Sequence, residues 1–242
     1  MTYIQGFVIP VKPGQKKAYR DMAAKAAPIF ADYGATRSVE CWGEDIPDGK
    51  RTDFKRAVKA EDGEGIAFSW VFWPDKATCD AATAKMKDDE RMKPDGDMPF
   101  DMQRMIYGGV QVASDSGDSG DSGPFGYVDG MVASVPAEKR RAFVDHAAFM
   151  ATKLKDKGAL RIVNGWGTDV PEGKVTDFNR AVDAQPGETV TFGWIEWPDK
   201  ATHDTAWGAL MAEDLMQQNP PAWDGQRAIF AGFAPILDTD KQ

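Results

Sequence analysis

The sequence predicts an α+β protein built from two ferredoxin-like, antiparallel-sheet repeats, and three observations carry that reading. Sliding the chain along itself by about 124 positions superposes long runs of residues. Each copy alternates β-type runs with two amphipathic helical stripes, in the order βαβ(x)βαβ. A tract of Ser, Asp and Gly separates the copies.

The duplication is legible residue by residue. Tyr3-Ile4-Gln5-Gly6 matches Tyr127-Val128-Asp129-Gly130, and Gly34-Ala35-Thr36-Arg37 matches Gly158-Ala159-Leu160-Arg161. Trp73-Pro74-Asp75-Lys76-Ala77-Thr78 recurs unchanged as Trp197-Pro198-Asp199-Lys200-Ala201-Thr202. Near the end one residue is lost, so Asp101 to Arg104 aligns with Asp224 to Arg227. The expected division is a first repeat over 1–113, a linker over 114–124 and a second repeat over 125–242. Asp115, Asp118 and Asp121 repel one another and should keep that linker extended and wet. Their spacing lacks the pattern and closing Glu of a calcium loop.

Within a repeat, the alternating run Tyr3 to Val11 reads as a strand. Tyr19, Met22, Ala23, Ala26, Phe30 and Tyr33 then recur at helical spacing, as do Phe143, Ala147, Met150 and Leu154. Gly34 and Gly158 end these helices, and Pro28 should kink or divide the first. A second strand covers about Ala35 to Trp42. Thr52 to Ala60 is open between a short capped helix and an extended segment. Ile66 to Trp73, aromatic and β-branched, is the strongest strand. Pro74-Asp75 opens a helix to about Lys87, and Arg104 to Val112 is the last strand.

Composition narrows the function. The 242-residue chain carries a net charge of −9, which argues against a binder of nucleic-acid backbone. No apolar run is long enough to span a bilayer, and Met1 to Gly6 lacks the features of a secretory leader. Two cysteines, Cys41 and Cys79, make no disulfide framework, so a cytoplasmic setting is expected.

Several segments together resemble the bacterial YbaA-like family. They are Tyr3 to Val8, Glu40 to Lys50, Thr52 to Val58, Phe68 to Trp73, Met98 to Asp101 and Arg104 to Gly109. The resemblance covers both copies apart from linker and tail. It implies membership of the dimeric α+β barrel superfamily and unknown function, and it brings no catalytic residues with it. In that superfamily two subunits join their bare sheet faces into a barrel. Because leaving an apolar face wet is costly, at about 25 cal/mol per Å², the two repeats here should form such a barrel within one chain, a pseudo-dimer. The tether raises the effective concentration of one half for the other to roughly millimolar.

The chemistry-bearing residues are sparse. His146 and His203, the only histidines, are too few for a histidine metal centre or a supported haem site, so no metal and no cofactor are expected. His146 falls on an apolar helical stripe and reads as a packed residue. Gly43 to Lys50 misses the spacing of a phosphate loop. The most suggestive set is Trp42, Asp45, Asp53 and Arg56, with its twin Trp166, Asp169, Asp177 and Arg180. It reads either as the rim of a small-molecule pocket or as turn caps and ion pairs. Glu40 and Tyr107 are expected to point into the barrel, and they become Asn164 and Phe230 in the second copy. If the chain is an enzyme, Glu40 or Asp53 would accept the proton while Trp42 and Trp70 hold the substrate.

Three functional readings follow. The first is a small-molecule-binding or stress-associated module enclosing a small apolar ligand. The second is a cofactor-independent oxygenase or isomerase acting on a small aromatic compound. The third is a structural or partner-binding protein whose barrel is filled by its own aromatics. A cavity lined by Glu40 or Tyr107 would favour the first two.

Overall fold

The computed structural model describes residues 1–94, 96–117, 124–213 and 215–241. Alternation in Tyr3–Val11 makes β1, whose Ile4 and Val8 enter one apolar cluster while Tyr3, Phe7 and Ile9 enter others on the opposite face. Helix α1 (Lys16–Asp32) follows, then β2 (Arg37–Asp45), a one-turn helix α2 (Phe54–Ala57), β3 (Gly65–Trp73), α3 (Lys76–Met86) and β4 (Ile106–Asp115). The second repeat restates this as β5 (Tyr127–Pro136), α4 (Arg140–Asp156), β6 (Arg161–Asp169), α5 (Phe178–Ala181), β7 (Glu188–Trp197), α6 (Lys200–Met211) and β8 (Ile229–Asp238), with an additional short α7 (Leu215–Gln218).

All strand pairings are antiparallel, in the closed order β1-β3-β2-β8-β5-β7-β6-β4. Each repeat is a four-stranded sheet, and the seams β2–β8 and β4–β6 join the two into one eight-stranded barrel. The intrachain pairing expected from the uncovered sheet faces is therefore present. Inside the barrel, Phe68 stacks on Phe192 and Phe233 at ring-centre distances of 4.6 and 5.1 Å, and Trp70 stacks on Trp194 at 4.2 Å. These five rings are almost fully buried and fill the space where a ligand was expected.

The seams are held by matching contacts. Arg37 Nε and Nη2 donate to the Asp238 carboxylate at 3.0 and 2.9 Å, and Arg161 Nε and Nη2 donate to Asp115 at 3.0 and 2.7 Å. Tyr127 donates to Asp45 across one seam, and Lys76 meets Asp169 at 3.2 Å across the other. The two tyrosines lie flat against Gly109 and Gly232, where any β-carbon would collide with the Tyr3 or Tyr127 hydroxyl.

Two expectations are revised and one open segment is decided. Helix α1 runs unbroken through Pro28, because the carbonyl that the proline cannot bond belongs to Ala24 on the exposed side, where water can satisfy it. The open segment Thr52 to Ala60 resolves into the capped turn α2. Strand β4 continues through Ser114 and Asp115, which pair with Asn164 and Val163, so strand pairing extends into the expected linker. Residues 118–123 of that linker lie outside the described residues.

Candidate functional site

Strand parity decides where the site can be. Val39 and Cys41 enter the barrel core, so Glu40 and Trp42 face outward beneath α1 rather than into the barrel. Tyr107 also faces outward, since its neighbour Ile106 is in the core, and it is 46% exposed. Trp70 points inward and stacks on Trp194. Trp42 and Trp70 therefore lie on opposite sides of the sheet and cannot grip one substrate.

Glu40 is the centre of a buried polar trio. Strand register sets Ser69 directly beside it, and Tyr19 from α1 donates its hydroxyl hydrogen bond to the Glu40 carboxylate. Burial pushes the Glu40 carboxyl up to about 7, with the Tyr19 and Ser69 hydrogen bonds pulling it back from a higher value. Burial, then the adjacent Glu40 charge, raises the Tyr19 hydroxyl well above its ordinary range. Among the described residues, the groups acting on the Glu40 carboxylate include no cation.

Glu40 is itself only partly buried, between α1 and the outer face of the sheet. Met22, Ala26 and Phe30 of α1, Phe7 of β1 and Trp42 of β2 are likewise only partly buried. In the second repeat most of the corresponding residues are buried: His146 (3% exposed), Met150 (8%), Leu154 (2%), Asn164 (8%) and Trp166 (8%) replace Met22, Ala26, Phe30, Glu40 and Trp42, while Met131, in the place of Phe7, stays partly buried. Met150 occupies with a full side chain the position that Ala26 leaves small. Tyr19 and Ser69 become Phe143 and Gly193, so the whole trio belongs to the first repeat.

The remaining expected site residues serve the scaffold. Asp53 caps α2 by accepting from the Arg56 backbone N–H at 2.7 Å and pairs with the Arg56 guanidinium at 3.2 Å. Asp177 and Arg180 repeat this at 2.9 and 3.1 Å. Asp53 is thus occupied as a cap and pair, and is poorly placed as a proton acceptor. Asp45 and Asp169 are drawn away into the seams, and Trp166 packs on Phe143 under α4. Only Tyr107 and Asp177 share a described cavity, an open groove of about 270 Å³ walled also by Met102, Gln103, Met105 and Lys174, and Glu40 is not among its walls.

The histidines are accounted for. His146 is buried, its Nδ1 2.9 Å from the Asn219 carbonyl, as a packed residue should be. His203 stands between Asp129 and Asp204, 2.8 Å from each. Tyr19 and Ser69 are the residues beside Glu40 that the motifs do not single out. Their signal was present in the alignment of the copies: Tyr19/Phe143, Glu40/Asn164 and Ser69/Gly193 change together.

Comparison with known proteins agrees with this architecture. YbaA of Escherichia coli K12, an uncharacterised protein, is 56% identical over 116 residues, which is 48% of this chain and 99% of the relative. YbaA of Shigella flexneri matches to the same degree. Among solved structures, an anthrone oxidase-like protein superposes with a TM-score of 0.61 at 12% identity, over 98% of this chain and 92% of the other. A candidate monooxygenase from Fusobacterium nucleatum gives 0.58 at 11% identity, over 98% and 93%. At such identities the likeness concerns the fold. The DUF1428 family model, described as a protein of unknown function, matches residues 2–102 and again 126–225, and the chain belongs to that family as a tandem duplication.

Proposed function

We propose that the chain is a small-molecule-binding module whose site lies between α1 and the outer sheet face of the first repeat, around Glu40. One observation carries this reading: the first repeat sets a partly buried carboxyl, Glu40, beside Tyr19 and Ser69, where the second repeat has the neutral Asn164 beside Phe143 and Gly193. Phe7, Met22 and Trp42, packed on the cluster that holds Tyr19, suit an apolar body, and Glu40 with Tyr19 supplies a polar end. The second repeat serves as the other half of the barrel. Two buried free thiols suit a cytoplasmic setting, and the acidic balance disfavours nucleic acid as a partner.

A second reading is favoured by the Glu40 carboxyl lying near neutrality beside a tyrosine hydroxyl. Such a group exchanges protons readily at cellular pH, which suits proton abstraction from a small aromatic compound without a cofactor. Native mass spectrometry of the purified full chain tests the shared premise. A small molecule should be retained by the wild type and lost in Glu40→Ala, which removes the polar end of the site. Equal retention by both proteins would refute the assignment of the site.

A further inference from the structure

We propose a second binding site, separate from Glu40, that takes an α-amino acid with an aromatic side chain as its zwitterion. It is the groove of about 270 Å³ in which the turn before β4 faces the loop between β6 and α5. Both walls are held from behind. Arg104 ties the turn to Asp101 and Glu64 at 2.7 Å each, and Thr176 Oγ1 donates to the Ala57 carbonyl at 2.6 Å. The groove is therefore shaped before a ligand arrives. Its volume lies just under the range that holds drug-sized molecules, about 300 Å³ and above, and suits a smaller one.

One wall is apolar: Met102, Met105 and Tyr107, with Met102 59% and Tyr107 46% exposed. Thioethers and a phenol ring make favourable contacts with an aromatic side chain. The other wall carries Glu172 and Lys174, and neither has a protein partner among the described residues. Asp177, on the same wall, is occupied as the cap of α5. A ligand with its own ammonium and carboxylate answers both open charges, whereas an amine or an acid answers one.

The mirror position in the other copy shows that the open pair is particular to this groove. There Asp48, which matches Glu172, is held by Lys55 at 3.0 Å, and the second copy has Asn179 in place of that lysine. Arg51 in the same loop pairs with Asp183, and its counterpart is Val175. Met102 and Met105 correspond to Gly225 and Ala228, so the apolar wall is also particular to one side. One amino acid per chain is expected.

The test is an NMR titration of the full chain at low salt, read at the methionine methyl groups, with L-phenylalanine, phenethylamine and 3-phenylpropionate. Phenylalanine should shift the Met102 and Met105 signals saturably and bind about threefold to fivefold tighter than either singly charged probe. Glu172→Gln should remove its advantage over 3-phenylpropionate, and Lys174→Met its advantage over phenethylamine. Lys50→Met, at the mirror position, should alter neither. Equal affinities for the three probes would overturn the ligand class. Methyl signals that stay still up to about 10 mM phenylalanine would overturn the site. A dimer in sedimentation that Tyr107→Glu dissociates would give the groove to a second copy of the chain and overturn the proposal as well.

Discussion

The two repeats share their seams and differ in their helix layers. Arg37–Asp238 and Arg161–Asp115, the Asp53 and Asp177 caps, and the glycines under Tyr3 and Tyr127 are kept in both copies. These features build and close the barrel, and each copy needs them equally. Beneath the first long helix the copies part. The second buries Phe143, Met150 and Trp166, and the first holds a partly buried Glu40 carboxyl where the second has Asn164. Duplication lets the two helix layers diverge while the seams stay alike. A symmetric dimer of one repeat could not divide the tasks.

Cavity substitutions should break this contrast most strongly. Met150→Ala should destabilise the protein by about 2–5 kcal/mol in denaturant titration, because it empties a closed layer. Ala26→Met, the reciprocal change, should cost little, since Ala26 is only partly buried. A penalty for Ala26→Met in the range of about 1–3 kcal/mol expected of overpacking would show that the first repeat is closed too.

Glu40 gives the next largest effect. Its folded carboxyl titrates at about 7 against an ordinary value near 4.5, so the folded chain keeps a proton that the unfolded chain releases. This contribution is complete below about pH 4.5 and is lost as pH rises through 7, up to about 3 kcal/mol as an upper bound. Glu40→Gln should therefore gain stability relative to wild type from pH 5 to about pH 8. A constant difference across that window would mean that the carboxyl is solvated like any surface acid. The smallest effect sharpens the symmetric side of the comparison. Asp53→Ala and Asp177→Ala should each cost about 1 kcal/mol, and nearly the same amount, because both cap one turn in the same geometry. Clearly unequal costs would give one of them a role beyond capping.

Much of the fold was legible because periodicity and duplication are local signals. The succession of strands along the chain and both long helices follow from residue type and spacing, whereas the short turn after Thr52 stays open between a capped helix and an extended segment, and closure of the barrel follows from the family resemblance. The direction in which Glu40 points was not legible. Alternation pairs Glu40 with Trp42 and Cys41 with Val39, but which pair faces the barrel depends on which face the other repeat covers. The apolar character of Trp42 favoured the wrong choice. Asp45 and Asp169 read as loop acids because their partners, Tyr127 and Lys76, lie in the opposite repeat.

A closed ring of strands has a cost during synthesis. Until the second half emerges, β2 and β4 of the first half stand with one side of their backbone groups unpaired, because their partners β8 and β6 are not yet made. At ribosomal speeds that wait lasts on the order of ten seconds. Nascent first halves on neighbouring ribosomes could pair with each other in that interval, so the tether must win against mispairing while the chain is still growing.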